Sequence, residues 1–80
     1  MLITYDTKSQ AIYIKIDHKG KVSKTVEPIP ETFVDLDTHG RLIGVELLDP
    51  SSETLQLLAK QFRCKSLLQV DTEKIQEAVA

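Results

Sequence analysis

The sequence predicts an α+β fold: an antiparallel meander of about five strands, then one amphipathic helix on one sheet face, then a short C-terminal helix. Three observations lead there. Through the first half of the chain, apolar residues alternate with others in short runs, the period of a half-buried strand. Clusters such as Asp6-Thr7-Lys8-Ser9, Asp17-His18-Lys19-Gly20 and Asp37-Thr38-His39-Gly40 separate those runs and carry turn-forming residues. From Leu55 onward the apolar spacing changes to three and four, which is helical.

Leu2–Tyr5 is a short β-type run. Ala11–Ile16 follows, with Ile12, Ile14 and Ile16 on one face and Ala11, Tyr13 and Lys15 on the other. Gly20 is available for a positive φ in the turn after it. Val22–Glu27 alternates again, and Pro28 and Pro30 make Glu27–Glu31 a connection or an edge, because proline cannot donate to a ladder. Thr32–Asp37 is a fourth strand, joined by a tight turn with Gly40 in the left-handed region to a fifth, Arg41–Leu48. Ile43, Val45 and Leu47 point one way and Leu42, Gly44, Glu46 and Leu48 the other. Both faces of this strand are largely apolar, so both are expected to be covered. A helix layer covers one; a second subunit is expected over the other. Asp49 is placed to cap a helix starting at Pro50, in which Leu55, Leu58, Ala59 and Phe62 share a face. Leu67, Leu68 and Val70 read as a short strand or a buried connection. Asp71 or Thr72 caps a last helix with Ile75, Ala78 and Val79 on one face.

Eighty residues predict one domain, with residues 1–48 as its β part and 49–80 as its helical part. Apolar residues make up 41% and charged residues 28%, which excludes disordered, collagen-like and membrane classes. Ten basic and twelve acidic residues leave a net charge of −2, so no direct nucleic-acid binding is expected. Lys15, Lys19, Lys21 and Lys24 gather around one hairpin, but no aromatic residues interleave with them for base stacking. The opening residues lack the basic head and apolar run of a signal peptide, and the lone Cys64 precludes an intrachain disulfide framework. A cytoplasmic location is the expectation. A chain this short buries only about 60% of its unfolded surface, so self-association as a homodimer is expected to supplement the core. Charge is uneven: residues 27–53 carry seven acids against Arg41 alone.

Four acids are the candidate binding residues: Asp6, Asp35, Asp37 and Glu46. Asp35 and Glu46 interrupt apolar strands, where a carboxylate is costly unless it is paired or hydrogen-bonded. Bonding to turn amides or to Tyr13 is one such role; acid–base work by a carboxylate pair is another. Asp35-Leu36-Asp37-Thr38-His39-Gly40, followed by Glu46, matches calcium-loop spacing apart from His39. Pro28 and Pro30 before it and the strand-like alternation after it argue for a hairpin instead. His18 and His39 are two turn imidazoles, and two ligands do not make a transition-metal site. Cys64 lies between Arg63 and Lys65, which favour a thiolate, but no base accompanies it in sequence. No catalytic residue, metal or cofactor is assigned.

Three stretches together carry a family resemblance: Tyr5-Asp6 with Ala11-Ile12-Tyr13-Ile14, the Val26-Glu27 strand, and Phe33-Val34-Asp35-Leu36-Asp37 running into Gly40-Arg41-Leu42-Ile43-Gly44-Val45-Glu46-Leu47-Leu48-Asp49. Over roughly residues 1–50 the chain resembles the small prokaryotic family known as domain of unknown function 2283. The family pattern has an acid just before the apolar-Tyr-Ile strand, where this chain has Gln10, so a family carboxylate cluster would lack a member here. The resemblance supports the fold and establishes no activity. Some relatives look like partners of small ribonuclease-toxin-like proteins, which implies an antitoxin-type role. The functional expectation is a non-enzymatic protein–protein interaction module whose acidic middle covers a basic partner site. The alternatives are a small metal-dependent or acid–base enzyme using Asp6, Asp35 and Glu46, and a purely structural homodimer.

Overall fold

A computed structural model describes residues 1–6, 8–48 and 51–71. The chain divides into two units at residues 49 and 50.

The first unit is a five-stranded antiparallel sheet of β1 (Leu2–Asp6), β2 (Ala11–Lys15), β3 (Lys24–Ile29), β4 (Thr32–Leu36) and β5 (Leu42–Leu47). The strands are the expected five, but their order is β1-β2-β5-β4-β3, not that of a simple meander. One hairpin (β1–β2) and one three-stranded run (β3–β4–β5) are joined through β2–β5 pairing. The reason lies in β5, the most apolar strand. A central position gives it a strand on each side, whereas a meander would have left it at an edge.

Cross-strand rows define the two faces. One face holds the row Ile3, Ile14, Val45, Val34, Val26 and the row Tyr5, Ile12, Leu47, Thr32, Ile29. The middle members of both rows are buried. A register shift after Asp35 sets Leu42, not Ile43, opposite Leu36. This β-bulge lets two successive residues of β5, Leu42 and Ile43, both be buried. The other face carries the row Thr4, Tyr13, Glu46, Phe33 and the row Leu2, Lys15, Gly44, Asp35, Thr25.

Within β5, Leu42 to Val45 and Leu47 are all buried. On the polar face Tyr13 closes over Gly44, while Glu46 is half-buried and Leu48 is exposed. Exposure concentrates on β1, where every residue is exposed.

The turns follow local chemistry. Gly40 is left-handed at φ 78°, as expected. Gly20 does not use a positive φ; it is needed for space, since a Cβ there would lie 2.2 Å from Ile43 Cδ1. In the same turn, Asp17 Oδ1 accepts from the amides of Lys19 and Gly20, at 2.9 and 3.0 Å. Pro30 and Glu31 connect β3 to β4, with Glu31 at φ 63°; proline first and a positive φ second is the pattern of a type II turn. β3 begins at Lys24, leaving Val22 exposed, and runs through Pro28 as an edge strand, where a missing donor is tolerated.

The second unit is α1 (Ser52–Gln61) and a 3-10 helix (Lys65–Gln69) packed on it. Ser51, not Asp49, caps α1: its hydroxyl accepts from the Thr54 amide at 3.2 Å. Asp49 and Pro50 lie outside the described residues. Leu55, Leu58 and Ala59 form the buried stripe. Arg63, at φ 54°, ends the helix, and the Cys64 amide donates to the Ala59 carbonyl at 2.9 Å, a Schellman closure. The segment read as a short strand or a buried connection at Leu67–Val70 is mostly 3-10 helix, because the chain has just turned back on α1 and buries Leu67 against it. The expected last helix from Asp71 or Thr72 lies outside the described residues. No described helix is long and apolar enough to cross a membrane.

Candidate functional site

The sequence distinguishes Tyr13, Asp35 and Glu46 as polar groups on apolar strands, and the sheet order brings them together. Tyr13 stands on β2 and Asp35 on β4, with β5 between them. Two strand spacings, about 10 Å, separate their backbones. The gap in the intervening row is Gly44, registered between Lys15 and Asp35. Tyr13 leans over that glycine, and its hydroxyl donates to Asp35 Oδ2 at 2.7 Å. A Cβ on Gly44 would lie 2.1 Å from the Tyr13 hydroxyl oxygen and 2.5 Å from Cζ. Glycine is thus required by close approach of a ring, not by backbone conformation.

From the other side, Thr25 on β3 donates its hydroxyl to Asp35 Oδ1 at 2.5 Å. Asp35 therefore uses both carboxylate oxygens as acceptors, tying β2 to β4 across β5 and β3 to its neighbour β4. Burial, then the hydrogen bond and charge of Asp35, then the charge of Glu46, push the Tyr13 phenol well above its ordinary value. Tyr13 is a protonated donor at any physiological pH, not a base or a nucleophile.

Glu46 lies in one row directly between Tyr13 and Phe33. Tyr13, Phe33 and Glu46 are all half-buried. Among the hydrogen bonds and ion pairs of the described residues, none involves the Glu46 carboxylate. This is a carboxylate flanked by two aromatic side chains on a sheet face.

The other two candidate acids lie elsewhere. Asp6 ends β1, where its Oδ1 accepts from the Lys8 amide at 2.9 Å. Three strand spacings, about 14 Å, separate its strand from that of Asp35. Asp37 anchors the β4–β5 turn: Oδ1 accepts from the amides of His39 and Arg41, both at 2.8 Å, and Oδ2 from Arg41 Nε at 3.0 Å. The Arg41 amide foremost, then the His39 amide and the Arg41 guanidinium, hold its carboxyl below the usual carboxylate range. Asp6, Asp35 and Glu46 do not converge, so the arrangement needed by a three-carboxylate enzyme is not assembled.

The calcium-like spacing falls on a hairpin, with β4 entering and β5 leaving, and its acids turn to different partners. His18 and His39 sit exposed in separate turns. Among the described residues no three His, Cys, Asp or Glu side chains are grouped to hold a metal ion. Thr25 and the role of Gly44 were not legible as parts of the site. Gly44 inside an otherwise apolar strand was the available signal.

Within the sheet, the described acids of the middle region are spread over both ends of β4. Glu27 and Glu31 stand by the β3–β4 turn, and Asp37 is paired at the opposite end of β4. No curated protein and no solved structure matches the chain. The model of the family described as "Protein of unknown function (DUF2283)" matches residues 2–51, the span that builds the sheet and the Tyr13–Asp35–Glu46 face, and the chain belongs to that family.

Proposed function

We propose that this chain is a non-enzymatic protein–protein interaction module whose polar sheet face receives a basic side chain of its partner at Glu46. The carrying observation is the half-buried Glu46 carboxylate set between Tyr13 and Phe33. A half-buried carboxylate gains from an incoming cation, and flanking rings add cation–π attraction to an arginine or lysine. Asp35 and Tyr13 contribute rigidity: their hydrogen bond fixes one wall of the site before binding. The expected antitoxin-type role fits this chemistry, since a ribonuclease presents basic side chains at its RNA site. The reading narrows the acidic contribution to one carboxylate, because among the described acids of the sheet Asp35 and Asp37 are engaged and Glu27 and Glu31 stand by the β3–β4 turn.

An alternating Arg-Gly peptide titrated into the labelled chain at low salt tests it. Amide shifts are expected to centre on Tyr13, Phe33 and Glu46, to vanish in E46Q and to weaken at high salt. Shifts centred on Glu27 and Glu31, or unchanged in E46Q, would overturn the assignment.

A further inference from the structure

The two edges of the sheet differ in kind. β3 carries several devices that discourage strand addition: Lys24 at its start, an exposed Glu27, Pro28 without a donor, and a register shift between Val26 and Ile29. β1 carries fewer of them. Its register with β2 is continuous from Leu2 to Asp6, it contains no lysine or proline, and its only charge is at its last residue. Leu2, Ile3 and Tyr5 are 49%, 39% and 39% exposed. An open, apolar edge strand is a template for a further strand.

We propose that the occupant of this edge is a second copy of the chain, docked by antiparallel β1–β1 pairing about a two-fold axis through Thr4. The self-complementarity of the strand is the argument. Centring on Thr4 sets Thr4 opposite Thr4 of the other copy and Ile3 opposite Tyr5, twice. Threonine pairs and aromatic–β-branched pairs are both favourable across strands. Leu2 falls opposite Asp6, so the two Asp6 carboxylates stand at opposite ends of the junction and no like charges face each other. Ile3 and Tyr5 lie in the rows of Ile14 and Ile12, on the apolar face. The pairing therefore continues those rows from one sheet into the next. This interface is independent of the Glu46 face and leaves β5 untouched.

Light scattering coupled to size exclusion, run on the full chain at high micromolar concentration, is expected to give twice the 9.0 kDa chain mass. The variants I3K/Y5K and I3E/Y5E each place like charges opposite one another across the junction and are expected to be monomeric. Mixing the two in equal amounts pairs opposite charges and is expected to restore a dimer. A monomeric wild type, or a dimer that persists in folded I3K/Y5K, overturns the proposal. Should either variant fail to fold, amide hydrogen exchange on the wild type decides. Protection at residues 2–6 that rises with protein concentration supports the pairing, and concentration-independent exchange there refutes it.

Discussion

Replacing Gly44 with alanine tests the architecture of the polar face at one atom. The added Cβ would sit 2.1 Å from the Tyr13 hydroxyl and 2.9 Å from Cε1, so the ring must swing away and release Asp35. A hydrogen bond to a charged group contributes about 1.5–3 kcal/mol. Against that, alanine restricts the unfolded chain and returns about 0.4–1 kcal/mol. The net expectation is destabilisation of about 1–2 kcal/mol, or a Tm lowered by about 5–15 °C in a chain of this size. The decisive comparison is the same substitution in a Y13A background, where the obstructing ring is gone. There G44A is expected to be neutral or to stabilise by about 0.4–1 kcal/mol. Urea unfolding of the four proteins, followed by circular dichroism, yields the coupling directly. Equal destabilisation by G44A in both backgrounds would refute the argument, because the cost would then come from the backbone or from β5 packing and not from Tyr13.

Two further outcomes follow from the same geometry. The folded state binds the Tyr13 proton more tightly than the unfolded chain does, so stability is intact below the ordinary phenol pKa of about 10 and falls as pH rises beyond it. Urea midpoints measured from pH 8 to 11 should show that fall in the wild type and a smaller one in Y13F. In the β3–β4 turn, Glu31 holds a φ of 63°. A left-handed non-glycine residue costs about 1–2 kcal/mol and glycine's extra entropy roughly 0.5–1 kcal/mol, so E31G should stabilise by about 0.5–1 kcal/mol. The turn hydrogen bond uses the Glu31 amide and the Glu27 side chain and survives the change. A lowered urea midpoint in E31G would show that the Glu31 side chain has a role the turn geometry does not reveal.

Element type was legible in the sequence because it rests on neighbours along the chain. The alternation of Ile12, Ile14 and their intervening residues made β2, Gly40 closed the β4–β5 turn, and the spacing of Leu55, Leu58 and Ala59 made α1. The identity of the cap was less secure, since Asp49 and Ser51 are both good capping types two residues apart and only the folded chain shows the Ser51 hydroxyl accepting from the Thr54 amide. The apolar character of β5 on both sides was also readable, together with its need for cover. What covers it was not. The sequence places Tyr13 and Asp35 22 residues apart. Only the strand order, which inserts β5 between β2 and β4, turns Gly44 into the gap through which they meet. The same order decides that β1 is left at an open edge and β3 at a guarded one. Periodicity reports which way a side chain points from its own strand, and it is blind to which strand lies alongside. Register and order are set by long-range packing, so they alone converted scattered acids into one hydrogen-bonded face and two carboxylates that stay apart from it.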